Sequence, residues 1–327
     1  MVAYHRADSS HHVDPVPVSA AVRAVDDLIA QFAKGSTPIL IRGERGTRKE
    51  DIARAIHVRS PQADGPFIKV SWAEVTESFV EGELFGYSEP TAAMALLSKR
   101  GKFQEAEKGT LYLEEVSDFS ASTQGKLLRF IRNEGLQPLG AISPVDVDVR
   151  LILASSQDLE QLVERGKVLR ELVEELSAFS IQIPPLRDRK TDILSLAQQF
   201  VRKHAQKVRK PTQHISSRAM SLLVSHTWPG NLVELEQCME RAVLLCDESV
   251  IDVRHLPPAL QELNTQEIQG ETLQDTLDII ERALILDALR AAKGNRSRAA
   301  QILGITERLM GLRVRKYCID PREFRTK

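Results

Sequence analysis

Short apolar runs punctuate the first half of the chain, each separated from the next by a segment of helical period. Pro38–Ile41 stops at a glycine-rich turn, and similar runs follow at Pro66–Val70, Thr110–Leu113 and Val147–Ala154. Between them apolar residues return every three or four positions, the spacing of one helix face, and residues 18–33 show that spacing ahead of the first run. Strands alternating with helices predict a mostly parallel sheet covered on both faces, because a parallel pair needs a crossover that packs back on the sheet. From about Arg187 to Pro258 the strand signals stop and the pattern is helical. Residues Ala259–Thr272 are polar, contain a glycine and follow a Pro-Pro pair, which reads as a linker. Three helical stretches complete the chain: Leu273–Ala292, Asn295–Leu303 and Thr306–Tyr317. In the first, Leu277, Ile280, Leu284 and Ala288 share a face, leaving Ile279 and Leu286 for a second apolar seam suited to a dimer partner. The expected division is therefore a polar tail (1–15), an α/β region (16–187), a small helical region (188–258), a linker (259–272) and an all-helical end (273–327).

The 327 residues, 42% of them hydrophobic, suffice for two or three domains. No stretch approaches eighteen apolar residues, and the start lacks the apolar core of a signal peptide, so the expectation is a cytoplasmic protein without a membrane span. Cys238, Cys246 and Cys318 lack CxxC spacing and read as reduced, mostly buried thiols. His11 and His12 have no ligating neighbours, so no metal site is expected from side chains alone. The net charge of −1 conceals an asymmetry: Arg282–Lys327 holds twelve lysines and arginines against four acids, about +8, leaving about −9 elsewhere. That end is suited to phosphates.

The turn Gly43, Glu44, Arg45, Gly46, Thr47, Arg48, Lys49, Glu50 follows a strand and opens a helix. In that setting backbone N–H groups and the helix N-terminus cradle phosphates, and Lys49 would reach the terminal ones. The pattern GxxxxGK[ST] places glycine immediately before the lysine, where the backbone passes close to the ligand. Here that position is Arg48, which either obstructs the loop or pairs with phosphate through its planar guanidinium.

Further along come Glu83-Leu84-Phe85-Gly86, Gly101-Lys102-Phe103, Gly109 to Glu115, Pro184 to Arg189, and Trp228-Pro229-Gly230-Asn231. In order and spacing these resemble the landmarks of the bacterial sigma-54 activators, ring-forming AAA+ ATPases that remodel RNA polymerase. The match runs from roughly Val18 to Leu256. It implies an α/β AAA+ P-loop domain with a parallel sheet, a small helical lid subdomain and a C-terminal all-α helix-turn-helix. The residues ahead of Val18 are too few for a receiver or sensory domain, so the layout expected is similar to that of phage-shock-type activators, while the C-terminus looks more like that of nitrogen-fixation activators.

The departures from the family lie at the chemistry. Where it has Asp-Glu for metal and attacking water, this chain has Glu114-Glu115. Glu115 keeps the base, and Glu114 is a methylene too long for the octahedral demands of Mg²⁺. Ser156 replaces a sensing asparagine with a shorter, single-donor group. Counting back from Phe179 without a gap puts Leu169 and Glu175 at the two arginine-finger positions, with Arg170 one residue away, where a slip of register restores one finger but not the other. Val233 stands where the lid offers an arginine, and Pro90–Ala95 replaces the GAFTGA loop, with Ala92 and Ala93 at its aromatic and threonine positions. Packing residues of the same motifs remain: Leu84, Phe85, Phe103, Leu111, Leu113, Leu186 and Trp228. The resemblance with these losses implies a degenerate ATPase. ATP binding through Lys49 and the loop amides stays open, and Mg²⁺ is disfavoured.

Gly294-Asn295 stops one helix and caps the next, Gly304 makes a tight turn and Thr306 caps the last. The stretch from Gly294 to Thr306 looks like the Fis-type helix-turn-helix of these activators, with paired alanines permitting close helix packing. That geometry makes Thr306, Glu307 and Arg308 candidates for reading bases, and Arg296, Ser297, Arg298, Arg313 and Lys316 candidates for holding the DNA backbone. The partners implied are double-stranded DNA, other AAA+ subunits in a homo- or hetero-oligomer, and RNA polymerase holoenzyme. The leading expectation is a repressor or co-regulator defective in hydrolysis and in sigma-54 contact. The alternatives are a working ATP-dependent activator with divergent motifs and a regulator acting with the housekeeping sigma factor.

Overall fold

The computed structural model describes residues 19–71, 77–88, 100–212, 214–262, 277–278, 281–282, 284–286, 288–289, 292–317 and 319–324. The polar tail, His11, His12, the 90–95 segment and Cys318 lie outside them. The chain forms two compact units, one of Ala21–Asp188 with Thr227–Leu235, the other of Arg189–His226 and Glu236–Lys327 with the N-terminal residues up to Ala20.

The first unit is a five-stranded parallel sheet of β1 (Ile39–Arg42), β2 (Phe67–Val70), β3 (Thr110–Leu113), β4 (Arg150–Ser155) and β5 (Ser180–Gln182), in the order β2-β3-β4-β1-β5. Side chains alternate across it, so β1 to β4 each feed two cores. Leu40, Leu111, Leu113, Leu151 and Leu153 face one core with Leu84, Phe85 and Phe103. Ile39, Ile41, Tyr112, Ile152, Ala154 and Ile181 face the other with Ile29 and Ile56. Burial on both faces is why the strands read as unbroken apolar runs. β5 escaped that reading because its three residues include a single apolar one, Ile181. The crossovers are α1 (Ala20–Phe32), α2 (Lys49–Val58), α3 (Glu77–Phe85), α4 (Lys102–Glu105), α5 (Ala121–Ile131), α6 (Leu159–Glu164) and α7 (Arg170–Ser177). Buried Arg150 donates to the carbonyls of Phe32 and Ala33 at 2.7 and 2.8 Å, placing positive charge at the C-terminal end of α1.

The second unit contains α8 (Lys190–Val208), α9 (Ser217–Ser225), most of α10 (Asn231–Leu245) and α11 (Pro258–Glu262). Two departures from the sequence reading occur here. A two-residue parallel pair, β6 (His214–Ile215) with β7 (Val250–Ile251), lies within the stretch read as helical, too short to leave a periodic signal. The linker expected from Ala259 opens as helix, Pro258 supplying a favourable first position; residues 263–272 lie outside the described set. Cys238 and Cys246 are buried thiols.

The C-terminal helices have their own core of Ile285, Leu286, Ala288, Leu289, Ala292, Ala299, Ala300, Met310, Val314 and Ile319. This corrects the face assigned to the first of them, because Leu277 and Leu284 are exposed while Ile285, Leu286 and Leu289 are buried. Both faces of that helix are apolar, so periodicity alone had no means of choosing; Ile279 and Ile280 lie outside the described residues. The caps fall where expected. Asn295 accepts from Arg298 N at 3.1 Å and Thr306 from Leu309 N at 3.3 Å, with Gly294 and Gly304 at φ of 76° and 66°. Met310, odd in a recognition helix, is a core residue. Gly311 sits mid-helix, and a Cβ there would meet nothing within 4 Å. Gly311→Ala should therefore raise the unfolding free energy of this domain by about 1 kcal/mol, read from urea denaturation; an unchanged or lowered midpoint counts against the open space.

Candidate functional site

β1 ends at Arg42 and the chain turns through Gly43–Arg48 into α2. Gly43 approaches Ile183 and Thr47 so closely that a Cβ would lie 3.0 Å from each side chain. Thr47 Oγ1 closes the turn by donating to Glu44 O at 2.8 Å. Arg48 adopts φ 61° and ψ 50°, the left-handed conformation that glycine takes without penalty. The loop thus keeps its glycine geometry around an arginine, at a cost of about 1–2 kcal/mol. The Arg48 guanidinium lies 3.6 Å from Asp51.

Lys49, only 7% exposed, donates to Gly43 O at 3.0 Å and lies 3.3 Å from Glu115 Oε1. The other carboxylate oxygen of Glu115 accepts from Ser156 N at 2.9 Å and Ser156 Oγ at 2.8 Å. The serine is therefore long enough to hold Glu115, even though it replaces a longer amide. Glu114 sits 3.3 Å from Lys69 Nζ, and Lys69 also bonds Glu50 at 2.5 Å. Burial pushes the Lys69 pKa down, but the Glu50 hydrogen bond and the Glu114 charge outweigh it and hold the ammonium above its ordinary value. For Glu50 the order is similar: burial raises its pKa, and hydrogen bonds from Lys69 and Arg54 lower it further than burial lifts it. A magnesium ion would have to draw on Glu114 and Glu50, both engaged by Lys69. Among the described residues no group of three or more His, Cys, Asp or Glu is placed to hold a metal ion by protein side chains alone; a magnesium ion beside a phosphate loop takes one or two carboxylates together with the nucleotide's phosphates.

The tip of the loop is held by residues 227–235. Gly46, at φ 78°, lies so near Gly230 that a Cβ would come 2.0 Å from its carbonyl oxygen. Buried Asn231 donates to Arg45 O at 3.0 Å and Glu44 Oε2 at 3.2 Å, and accepts from Leu186 N at 2.8 Å. Val233 N donates to Gly46 O at 3.2 Å, so the position that offers no arginine still contributes its backbone. Arg187 grips Glu44 with two bonds of 2.6 and 2.8 Å and holds that carboxyl below its ordinary pKa.

The two residues counted to the finger positions have different surroundings. Leu169 packs against the larger core, its N–H bonded to Gln124 at 2.8 Å, and Glu175 pairs with Arg132 at 2.8 Å. Arg170 is exposed at the first turn of α7 and lines a cleft of about 370 Å³ with Glu160, Glu164 and Glu174. Gly86 and Gly101 pinch the base of the intervening loop, a Cβ on Gly101 falling 2.4 Å from Gly86 N; the loop residues Pro90–Ala95 lie outside the described set.

At the helix-turn-helix, Arg296, Ser297, Arg298, Thr306, Glu307 and Arg308 are exposed together. Two candidates for the DNA backbone are engaged elsewhere: Arg313 pairs with Glu281 at 2.8 Å and Lys316 with Asp278 at 2.5 Å. These ion pairs tie the recognition helix, Glu307–Lys316, to the preceding helical stretch. The sequence reading missed Lys69, Arg187 and Asn231 as neighbours of the loop. Arg187 and Asn231 stood in landmark segments without an assigned contact, and Lys69 carried its signal as a charge inside an otherwise apolar strand, Phe67–Val70.

A parallel α/β domain with a phosphate loop at the end of its first strand, followed by a helical region and a helix-turn-helix, is the architecture of a P-loop protein that carries a DNA-binding type of module. The family models agree along the chain: the Sigma-54 interaction domain matches residues 16–182, the AAA+ ATPase lid domain 187–273 and the bacterial regulatory protein Fis family 276–317. The chain is 39% identical over 303 residues to the nitrogen fixation protein VnfA of Azotobacter vinelandii, covering 92% of itself and 58% of that protein. It is 36% identical over 307 residues to the response regulator protein PilR of Pseudomonas aeruginosa, covering 92% and 69%. The crystal structure of NtrX from Brucella abortus in complex with ATP superposes with a TM-score of 0.69 at 30% identity, covering 93% and 69%. This chain belongs to the family of sigma-54-dependent, DNA-binding transcriptional activators. It spans less than two thirds of the length of the nitrogen-fixation relatives. Among the described residues no helix is long and apolar enough to cross a membrane.

Proposed function

We propose that this chain regulates transcription from a DNA-bound position while its AAA+ domain serves as a nucleotide-binding, oligomerising scaffold that neither hydrolyses ATP at a useful rate nor remodels sigma-54 polymerase. What supports the reading is that neither residue counted to a finger position is a cation: Leu169, partly buried, packs against the larger core, and Glu175 pairs with Arg132. A neighbouring subunit's nucleotide would receive no cation from either place. Lys49 and the loop amides hold the phosphates of ATP, as the NtrX crystal form with ATP suggests for a relative. The partners are double-stranded DNA, at Arg296, Ser297, Arg298, Thr306, Glu307 and Arg308, and further AAA+ subunits, either copies of this chain or of a paralogue with intact fingers. By occupying sites or ring positions it represses or tempers a competent activator.

The Lys49–Glu115–Ser156 group favours a second reading, a slow but working ATP-driven activator. In vitro transcription separates the two. With sigma-54 holoenzyme and ATP the chain alone should yield no transcript, and added to a competent family member it should lower that member's output. Robust transcript from sigma-54 holoenzyme overturns the first reading, and transcript from the housekeeping holoenzyme alone points to a regulator of ordinary promoters.

A further inference from the structure

The recognition helix presents an outward face that is not uniformly cationic. Met310 and Val314 are buried and fix the inner side; at about 100° per residue the opposite side is Arg308, Leu312 and Arg315. Leu312 is 56% exposed, and Leu309, one turn back, is 43% exposed. Both lie outside the core of the domain. Beside them Gly311 adds no side chain, so a ligand can come close to the helix on that flank.

What covers this leucine follows from its flanks. Arg308 and Arg315 are exposed on either side of it, in a segment carrying about +8, so the face is drawn to a polyanion rather than to an apolar protein surface. In the major groove of DNA the thymine C5-methyl is the apolar group on the base edges, and side chains without polar atoms contact it. Arg308 and Leu312 are four residues apart, about 6 Å of helix rise, which spans roughly two base-pair steps.

We propose that Leu312 is a specificity-determining residue that reads a thymine methyl in each half-site, within about two base pairs of a guanine met by Arg308. The inference rests on the DNA-binding reading above.

The test replaces single thymines by deoxyuridine, which removes the methyl and leaves base pairing and phosphates unchanged. The full chain selects its preferred duplex from a random pool, and affinity is then measured for each thymine-to-uracil duplex at fixed salt. Wild type should lose about three- to fivefold at one thymine per half-site, the worth of one buried methyl. Leu312→Ala should bind the two duplexes equally, with an affinity for the preferred duplex close to that of wild type for the thymine-to-uracil duplex. If wild type discriminates at no thymine, or Leu312→Ala discriminates as well as wild type, the thymine assignment falls and the DNA-binding reading stands. If the chain binds no duplex at all, the DNA-binding reading itself falls.

Discussion

Steady-state ATP hydrolysis by the purified chain is expected to run about 10³-fold or more below that of a family member carrying both arginine fingers. The phosphoryl group gathers charge on its equatorial oxygens as the bond breaks, and the fingers supply cations to those oxygens from the next subunit. Here the residue counted to one position is a partly buried leucine packed against the core, and at the other it is a carboxylate paired with Arg132. Restoring charge at Glu175 is the informative change, because the residue is exposed and its substitution leaves the core intact. Glu175→Arg should raise turnover, whereas Leu169→Arg buries a cation and should cost stability as well. Binding is measured separately with a fluorescent nucleotide. Wild type should retain it and Lys49→Ala should lose it, since Lys49 is the buried cation of the loop. Turnover of several per minute that vanishes on Lys49→Ala would defeat the scaffold reading.

The fold was legible wherever a residue's job is packing. The alternation of β1, β3 and β4 between two cores requires apolar residues at successive positions, which a bare sequence displays. Caps were legible for the same reason, since Asn295 and Thr306 do by side chain what few residues do as well. The site was less so, because its contacts are mostly between backbone groups or between distant segments. Gly46 against Gly230 is a contact of two missing side chains, and no pattern along the chain announces it. Asn231 joins the loop to Leu186 across more than forty residues. Arg48 illustrates the converse: the sequence identified the conformational problem, and the structure resolves it by accepting the left-handed backbone. Likewise Ser156 reads as a loss on paper, yet it sits close enough to hold Glu115 by hydroxyl and amide together. The recognition helix divides in the same way: Met310 and Val314 are settled by packing, while Leu312 had no visible purpose until its exposed side was known.

Trp228→Ala is expected to cost about 3–5 kcal/mol of stability, the usual range for emptying the site of a fully buried large aromatic. Among the described residues Trp228 heads the fully buried side chains by volume, at 1% exposure, and holds φ 51°, an unusual conformation for a bulky residue. Such strain persists only where surrounding packing insists on it. The carbonyl of Trp228 accepts from Asn231 N at 2.8 Å, so the indole anchors the turn that delivers Gly230 and Asn231 to the phosphate loop. Two effects should therefore appear together. Urea unfolding followed by circular dichroism should show an earlier midpoint. At denaturant concentrations where the variant is still folded, nucleotide affinity should fall as the loop tip loses its support. Asn231→Ala separates the two, because it keeps the indole and removes the bonds to Glu44, Arg45 and Leu186. It should cost less stability, about 1–3 kcal/mol for the buried partners left unmade, yet weaken nucleotide binding at least as much. A Trp228→Ala protein with the wild-type midpoint would contradict the anchor. An Asn231→Ala protein with wild-type affinity would show that the loop holds its shape without residues 227–231, leaving Gly43, Thr47 and Arg48 to shape it alone.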